Sequence, residues 1–386
     1  NAEGKYKVSV PNNAVLVFSY IGFTKANALV NNRTTIDIEL KEDPKNLQEV
    51  VVNVGYSTMR KSDLTGSVSS VKADAFENSV PTTLDQALQG RVAGMSITQN
   101  SGVPGGGSSI QIRGVNSINS SNEPIYVVDG VIINGRTGDN DRNAIASINP
   151  NDIESIEVLK DASAAAIYGA QGANGVILIT MKKGKVGKPV INFNTKVGLQ
   201  ELPRRVDVMN LREYAQHHND YSDVLGYGRR LDFSRPEALG EGTDWQKTMF
   251  RVAPMQTYDL SLRGGMQNSN YSLSVGHLNQ NGIIYGSGYK RTTVRLSVDN
   301  SIGSQLRMGA TINVSQDKQN TAVSSWSVLG NALFQTPAIP VYNADGTFGG
   351  PTSEFDANNL GFSNPLAIAT LNTRDRENVI ARGNIY

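Results

Sequence analysis

The second half of the chain is dominated by one pattern, an apolar side chain at every other position over long runs. Leu306, Met308, Ala310, Ile312 and Val314 alternate with Arg307, Gly309, Thr311, Asn313 and Ser315. The same period of two returns at Tyr258, Leu260 and Leu262, at Tyr271, Leu273 and Val275, and at Val294, Leu296 and Val298. Successive side chains of a strand point to opposite faces, so each run predicts a strand with one apolar and one polar face. The runs have the length of transmembrane β-strands, although a soluble sandwich alternates in the same way. Connection lengths help to decide. Residues 263–270 and 299–305 leave short turns, 280–289 an intermediate connection, and 201–253 and 320–376 long ones. Short turns alternating with longer loops are the arrangement of outer-membrane barrels. With a first strand near residues 190–199, residues 187–386 predict about six strands, the last reaching Tyr386. Six strands cannot close a barrel around a plugging domain, so more are expected downstream. Leu211, Arg212, Glu213, Tyr214 and Ala215 predict an amphipathic helix inside the first long loop.

Residues 83–183 follow another pattern. Thr83 and Gln86 have capping-box spacing, Leu84, Ala87 and Leu88 share a helical face, and Gly90 stops the helix. Ile110 to Gly114 alternates as a half-buried strand would, which places Arg113 on one face with Gln111. Asp129-Gly130 between two apolar runs predicts a hairpin, because a type I′ turn needs positive φ at both central residues. Val176, Ile177, Leu178 and Ile179 are apolar on both faces, as a buried central strand must be.

Before this region, Val15 to Tyr20 and Thr35 to Leu40 predict short strands separated by Asn-rich turns. Residues 41–72 shift to charged and small side chains around one apolar insert, Leu47, Gln48, Glu49, Val50, Val51 and Val52. An exposed β-prone hexapeptide can add as a strand to a partner's sheet edge; a strand closing the preceding sandwich is the other reading.

Composition narrows the function classes. A net charge of +1 without a Lys/Arg block argues against a nucleic-acid surface, and the absence of Cys removes disulfides and thiolate metal sites. The chain has no apolar run near the length of a membrane helix, so a β-barrel is the remaining route across a bilayer. His217, His218 and His277 form no zinc motif, and Gly102 to Gly107 lacks the Lys-Ser/Thr of a phosphate loop. Asp139, Asn140 and Asp141 offer oxygens for Ca²⁺ but lack EF-hand spacing, which favours a solvated loop. Neither an enzymatic activity nor a cofactor is expected.

IQIRG (110–114), YVVDG (126–130), NPNDIESIEVLKDASAAAIYG (149–169) and ANGVILITMKKG (173–184) resemble the plug domain of TonB-dependent outer-membrane transporters. LQGRVAGMSIT (88–98), SGVPGG (101–106) and the Ala run of KDASAAAIYG (160–169) are most similar to the SusC/RagA type. The likeness runs from residue 47 to about residue 185, and FSYIGF (18–23) resembles the end of a carboxypeptidase-D-regulatory-like domain. The resemblance implies a mainly β protein. Its parts are the end of a small β-sandwich (1–44), a TonB box and linker (45–72), an α+β plug (73–186), and the first strands of a barrel of about 22 (187–386). The start within the sandwich implies further strands before Asn1.

The resemblance further implies a function, the import of a large nutrient, oligosaccharide or peptide, across a bacterial outer membrane. Residues 47–52 would be the TonB box, held with the N-terminal domain in the periplasm and pulled by TonB. A SusD-like surface lipoprotein would be the partner outside, and the barrel would face outer-membrane lipid. Arg113 and Lys160 fall where such plugs carry basic residues that pair with barrel carboxylates; pairing inside the plug through Asp129 or Glu157 is the other reading. Ligand would meet the Asn- and Ser-rich plug apices, at Asn116, Ser117, Asn119, Ser120, Asn134, Arg136, Asp139 and Asn140, whose side chains supply directional hydrogen bonds. A surface adhesin that binds without transporting is the rival reading.

Overall fold

The computed structural model describes residues 6–20, 23–41, 51–53, 58–60, 67–73, 75, 82–118, 121–133, 145–303, 305–322, 325–350 and 364–386. The chain divides into two compact units, Asn1–Asn53 with Ser57–Leu64, and Val54–Tyr56 with Thr65–Tyr386.

In the first unit, β1 (Val15–Phe18) pairs antiparallel with β2 (Ala26–Leu29), and β3 (Val51–Asn53) with β4 (Thr58–Arg60). The strand expected at residues 35–40 does not form among the described residues. Its alternation survives, with Ile36, Ile38 and Leu40 half-buried between exposed neighbours. The ladder beside β1, however, is taken by residues 26–29, and a strand needs a backbone partner as well as a side-chain period.

The second unit opens with β5 (Val68–Lys72), α1 (Leu84–Leu88), β6 (Met95–Gln99), β7 (Ser108–Ile112), β8 (Ile125–Val128), β9 (Val131–Ile133), β10 (Ile153–Leu159), α2 (Ala162–Ala165) and β11 (Val176–Met181). Five of these strands form one sheet in the order β5-β10-β11-β8-β9. β11 is central, antiparallel to β10 and parallel to β8. Its two faces are apolar because each has a cover. Ile177 and Ile179 pack with Leu84, Leu88, Ile110 and Ile112 from α1 and the β6–β7 hairpin. Val176 and Leu178 pack with Ala165 and Tyr168 from the Ala-rich segment.

Local chemistry explains the turns and adjusts two expectations. Asp129 and Gly130 have φ of 47° and 87°, and Val128 pairs with Val131, the I′ hairpin that the Asp-Gly pair specifies. The cap of α1 shifts by one residue: Gln86 Oε1 accepts from Thr82, both its amide at 3.1 Å and its hydroxyl at 2.8 Å, while Thr83 makes no side-chain cap. Arg113 lies beyond β7 with φ 60°, so it leaves the alternation that was to place it beside Gln111.

The chain continues through β12 (Gly187–Gln200), α3 (Leu211–Leu225), α4 (Trp245–Met249), β13 (Ala253–Met266), β14 (Ser269–Asn281), β15 (Gly288–Ile302), β16 (Leu306–Ala322), α5 (Ser325–Phe334), α6 (Pro365–Leu371) and β17 (Thr373–Ile385). β12 to β17 form a six-stranded antiparallel meander in sequence order. Its short and long connections alternate as the sequence predicts. The first long loop is ordered by α3, which Asn210 and Glu213 cap reciprocally at 3.0 Å and Gly226 ends with φ 72°. The long connections build a core of their own, in which Met249, Val328, Ala332, Leu366 and Ala369 are buried together.

The meander is inverted relative to a soluble sandwich. On β15 the polar Arg291, Thr293, Arg295, Ser297 and Asp299 are buried, whereas Val294, Leu296 and Val298 are 41%, 42% and 40% exposed. An apolar outer face and a polar inner face suit a wall between lipid and a filled lumen. Among the described residues no helix is long and apolar enough to cross a membrane. Leu296→Arg should therefore destabilise the protein in lipid by about 2–4 kcal/mol at mid-bilayer depth. Urea titration of liposome-folded protein checks this, and the neighbouring inward Ser297→Ala, which gives up one hydrogen bond with Thr311 at 3.0 Å, should cost only about 1 kcal/mol.

Candidate functional site

The plug sheet meets the inner face of the wall through a set of polar contacts, and carboxylates of two plug turns sit at its centre. Arg295 on β15 donates from Nη2 to Asp129 Oδ2 at 2.7 Å, with the two side chains 4% and 16% exposed. Its Nη1 also donates to the Lys182 carbonyl at 3.3 Å. Asp129 Oδ1 accepts the Met181 amide at 3.0 Å, so one residue shapes the hairpin, ties it to β11 and receives the wall's cation.

The second turn is Asn149-Pro150-Asn151-Asp152. Pro150 starts a 3₁₀ turn, and Asn149 Oδ1 caps it by accepting the Asn151 amide at 3.1 Å. The turn aims three side chains at the wall. Asn149 and Asn151 each donate to one oxygen of Asp259, both at 2.6 Å. Asp152 accepts from the Ser274 hydroxyl at 2.8 Å and from Arg263 at 3.4 Å. Burial pushes the Asp152 carboxyl above its ordinary range, with Ser274, Arg263 and Arg295 partly offsetting it. Gly276 permits this approach, because a Cβ there would run into the Asn149 amide.

Four wall residues make further contacts at the rim of the plug. Arg291 Nη1 donates to the carbonyls of Thr82 at 3.1 Å and Ala146 at 2.5 Å, and Arg382 donates to Ser147 Oγ at 3.0 Å. Gln319 donates to the Pro104 carbonyl at 2.8 Å, and Gly105 lies so close to the Tyr289 ring that a Cβ would clash.

Comparison with known proteins agrees with this geometry. A TonB-dependent Receptor Plug Domain family model matches residues 60–176. The chain is 39% identical over 378 residues to TonB-dependent receptor P26 of Formosa agariphila, covering 97% of this chain and 36% of that protein. It is 35% identical over 385 residues to TonB-dependent receptor SusC of Bacteroides thetaiotaomicron, covering 98% of this chain and 37% of the relative. Among solved structures it is similar to the RagAB peptide importer in the 'closed-closed' state, with TM-score 0.62 and 29% identity over 74% of this chain and 35% of that one. The chain is of the SusC/RagA type of TonB-dependent receptor. It spans roughly a third of the length of these relatives, 36% and 37% of the two curated ones.

Within this receptor chain the residues singled out from the sequence fall in three places. Arg113 pairs with Asp161, and Lys160 donates to the Ala93 carbonyl at 3.0 Å. Both partners belong to the plug, and neither is Asp129 or Glu157, the in-plug partners weighed from the sequence. Asp161 also accepts the amide of Ser67, immediately before β5, so it clips the start of the plug sheet. That amide, and after it Arg113, hold the Asp161 carboxyl below its ordinary range.

At the apex, Asn122 Oδ1 accepts from the amides of Asn116 at 2.8 Å and Ser117 at 2.7 Å. Asn119, Ser120, Asn134, Arg136, Asp139 and Asn140 lie outside the described residues, as do Leu47, Gln48, Glu49 and Val50. Val51 and Val52 belong to β3. Among the described residues no group of three or more His, Asp or Glu could hold a metal ion. Sequence reasoning weighed Asp129 only as an in-plug partner of Arg113 or Lys160, and passed over Asp152, Arg263, Arg291 and Arg295. Their signal was present: an Arg on the polar side of an alternating barrel strand needs a buried partner, and a plug Asp in a tight turn is a suitable one.

Removing one member of the buried pair, by Arg295→Ala or Asp129→Ala, should cost about 3–5 kcal/mol of plug seating. Limited proteolysis of the plug and passive leakage in liposome swelling should both rise. Asp161 behaves oppositely to Asp152 with pH. Because its folded value is depressed, its stabilisation is full above the ordinary Asp range and is lost as pH falls through the lowered value. Hydrogen exchange at Ser67, referenced to an unstructured peptide, should therefore lose protection on acidification, and Asp161→Asn should show the loss already at neutral pH.

Proposed function

We propose that this receptor chain serves energy-coupled import of a large nutrient, an oligosaccharide or peptide, across a bacterial outer membrane. The reading divides the chain at the boundaries given above: sandwich end (1–44), TonB box and linker (45–72), plug (73–186) and barrel (187–386). The observation that carries it is the plug–wall interface. A sheet with its own apolar core is held in the lumen mainly by hydrogen bonds and ion pairs rather than by a shared apolar core. Such a seal can release and reform as a unit, because water can satisfy the parted polar groups while the plug core stays intact.

In this mechanism ligand binds outside, at the plug apices around Asn116 and Ser117 and under a SusD-like lipoprotein. TonB engages residues 47–52 in the periplasm and pulls. The load reaches the plug sheet at Ser67, where Asp161, Arg113 and Lys160 meet, and that cluster helps to seat the plug. The similarity to SusC and to the RagAB peptide importer supports the reading. No step calls for a catalytic residue or an added cofactor.

Deletion of residues 47–52 in the full-length receptor tests the proposal. Uptake of the nutrient should be abolished while surface binding is retained, measured on whole cells with a labelled ligand. Uptake undiminished by the deletion would overturn import, and a protein that binds but never accumulates ligand in the wild type is an adhesin.

A further inference from the structure

The face of the wall that turns away from the plug is not apolar throughout. Across the register of β13 to β16, Leu262, Leu273, Leu296 and Ile312 stand side by side in one apolar row. Four residues nearer the long connections the same strands carry Tyr258, His277, Thr292 and Gln316. Two residues further, and across to β17, the row is Gln256, Asn279, Lys290, Lys318 and Glu377. Apolar, then aromatic and neutral polar, then charged is the order in which a barrel wall leaves a bilayer.

The charged row is unbalanced. Lys290 and Lys318 are direct cross-strand partners and both exposed, an arrangement of like charges that weakens a sheet. Glu377 lies 3.1 Å from Lys318 and also accepts from Gln316, so it is engaged on the far side of the pair. Among the described residues Lys290 has no anionic partner. An anion between the two ammonium groups would convert their repulsion into attraction.

Height decides which anion. Lys290 is six residues from Leu296, and Lys318 six from its row mate Ile312. At roughly 3.4 Å per residue and a tilt of about 40° that is about 16 Å, against about 12 Å for half of an apolar band. The ammonium groups therefore sit just beyond the hydrocarbon, at the depth of lipid headgroups. We propose that Lys290 and Lys318 hold the phosphate of an outer-leaflet lipid, whose acyl chains lie along the apolar rows of the wall. Thr292 and His277, 3.0 Å apart, stand between the two regions and offer hydrogen bonds to the rest of the headgroup. The proposal rests on the import reading for its leaflet, since that reading puts the long connections outside. β15 also carries Arg291 and Arg295, so a lipid that relieves strain between β15 and β16 supports the strand that grips the plug.

The test titrates the full-length receptor, in a non-ionic detergent, with diphosphorylated lipid A, with dephosphorylated lipid A and with inorganic phosphate, counting bound lipid by native mass spectrometry. The phosphorylated lipid should bind more tightly than the dephosphorylated one. Lys290→Gln and Lys318→Gln should each weaken it about fivefold, and together about thirtyfold, at the usual worth of a lysine beside an anionic surface. Glu377→Gln, which keeps both lysines and frees Lys318, should tighten it, a change of opposite sign that a merely misfolded wall would not give. Equal binding of the two lipids, or affinity unchanged in the double lysine variant, overturns the site. Inorganic phosphate displacing lipid A at equal concentration marks a soluble-anion site and overturns the lipid assignment. Uptake does not enter this measurement, so its failure leaves import standing, whereas unimpaired uptake after deletion of residues 47–52 removes import whatever the lipids do.

Discussion

A charge buried between two bodies must be paired, and the meeting of Arg295 with Asp129 is the contact on which the architecture turns. The guanidinium is nearly inaccessible on the inner face of β15, where an unpaired cation would be costly. Its carboxylate partner comes from a hairpin turn whose backbone is already fixed by the Asp-Gly sequence and by the bond to Met181. Neither body can shift along the other without exposing or stranding one of these charges. Asp152, Arg263 and the Asn149–Asn151–Asp259 cluster repeat the arrangement one turn away, so position and orientation are set together.

This polar seating explains why the chain has two kinds of core. The plug sheet closes on itself, with apolar cover on both faces, and the long connections bury Met249, Val328 and Leu366 among themselves. The wall sends most of its apolar side chains outward, toward lipid in the import reading, and keeps Ser, Thr, Asp and Arg on its inner face. A plug fused to the wall by apolar packing would be stable and immovable. One held by hydrogen bonds that water can replace is stable and removable.

The opposite edge of the plug carries a different device. Asp161 gathers the amide of Ser67 and the guanidinium of Arg113 where the chain enters β5, the edge strand of the sheet. A force arriving through the preceding residues meets this exposed, solvent-screened cluster before it meets the buried pair at Asp129.

Much of this was legible in the sequence for local reasons. The period of two in β12 to β17, the Asp-Gly turn, the doubly apolar β11 and the helix after Asn210 follow from side-chain direction, φ preference and burial, which depend on neighbours a few residues away. The wall's inversion was half legible: alternation was plain, but only the closed contact between plug and meander shows which face is inside. What the tertiary structure alone decided is partnership. Thr35 to Leu40 has a strand's alternation yet no ladder among the described residues, where residues 26–29 pair with β1 instead. Arg113 meets Asp161 at the plug surface because its positive φ takes it off the strand. Asp129 and Arg295 stand 166 residues apart, and no local rule selects one carboxylate among many for one arginine. Periodicity and turn chemistry determine the elements, because they are properties of short stretches of chain; register and docking determine which charges meet, because those distances exist only once the whole sheet is assembled.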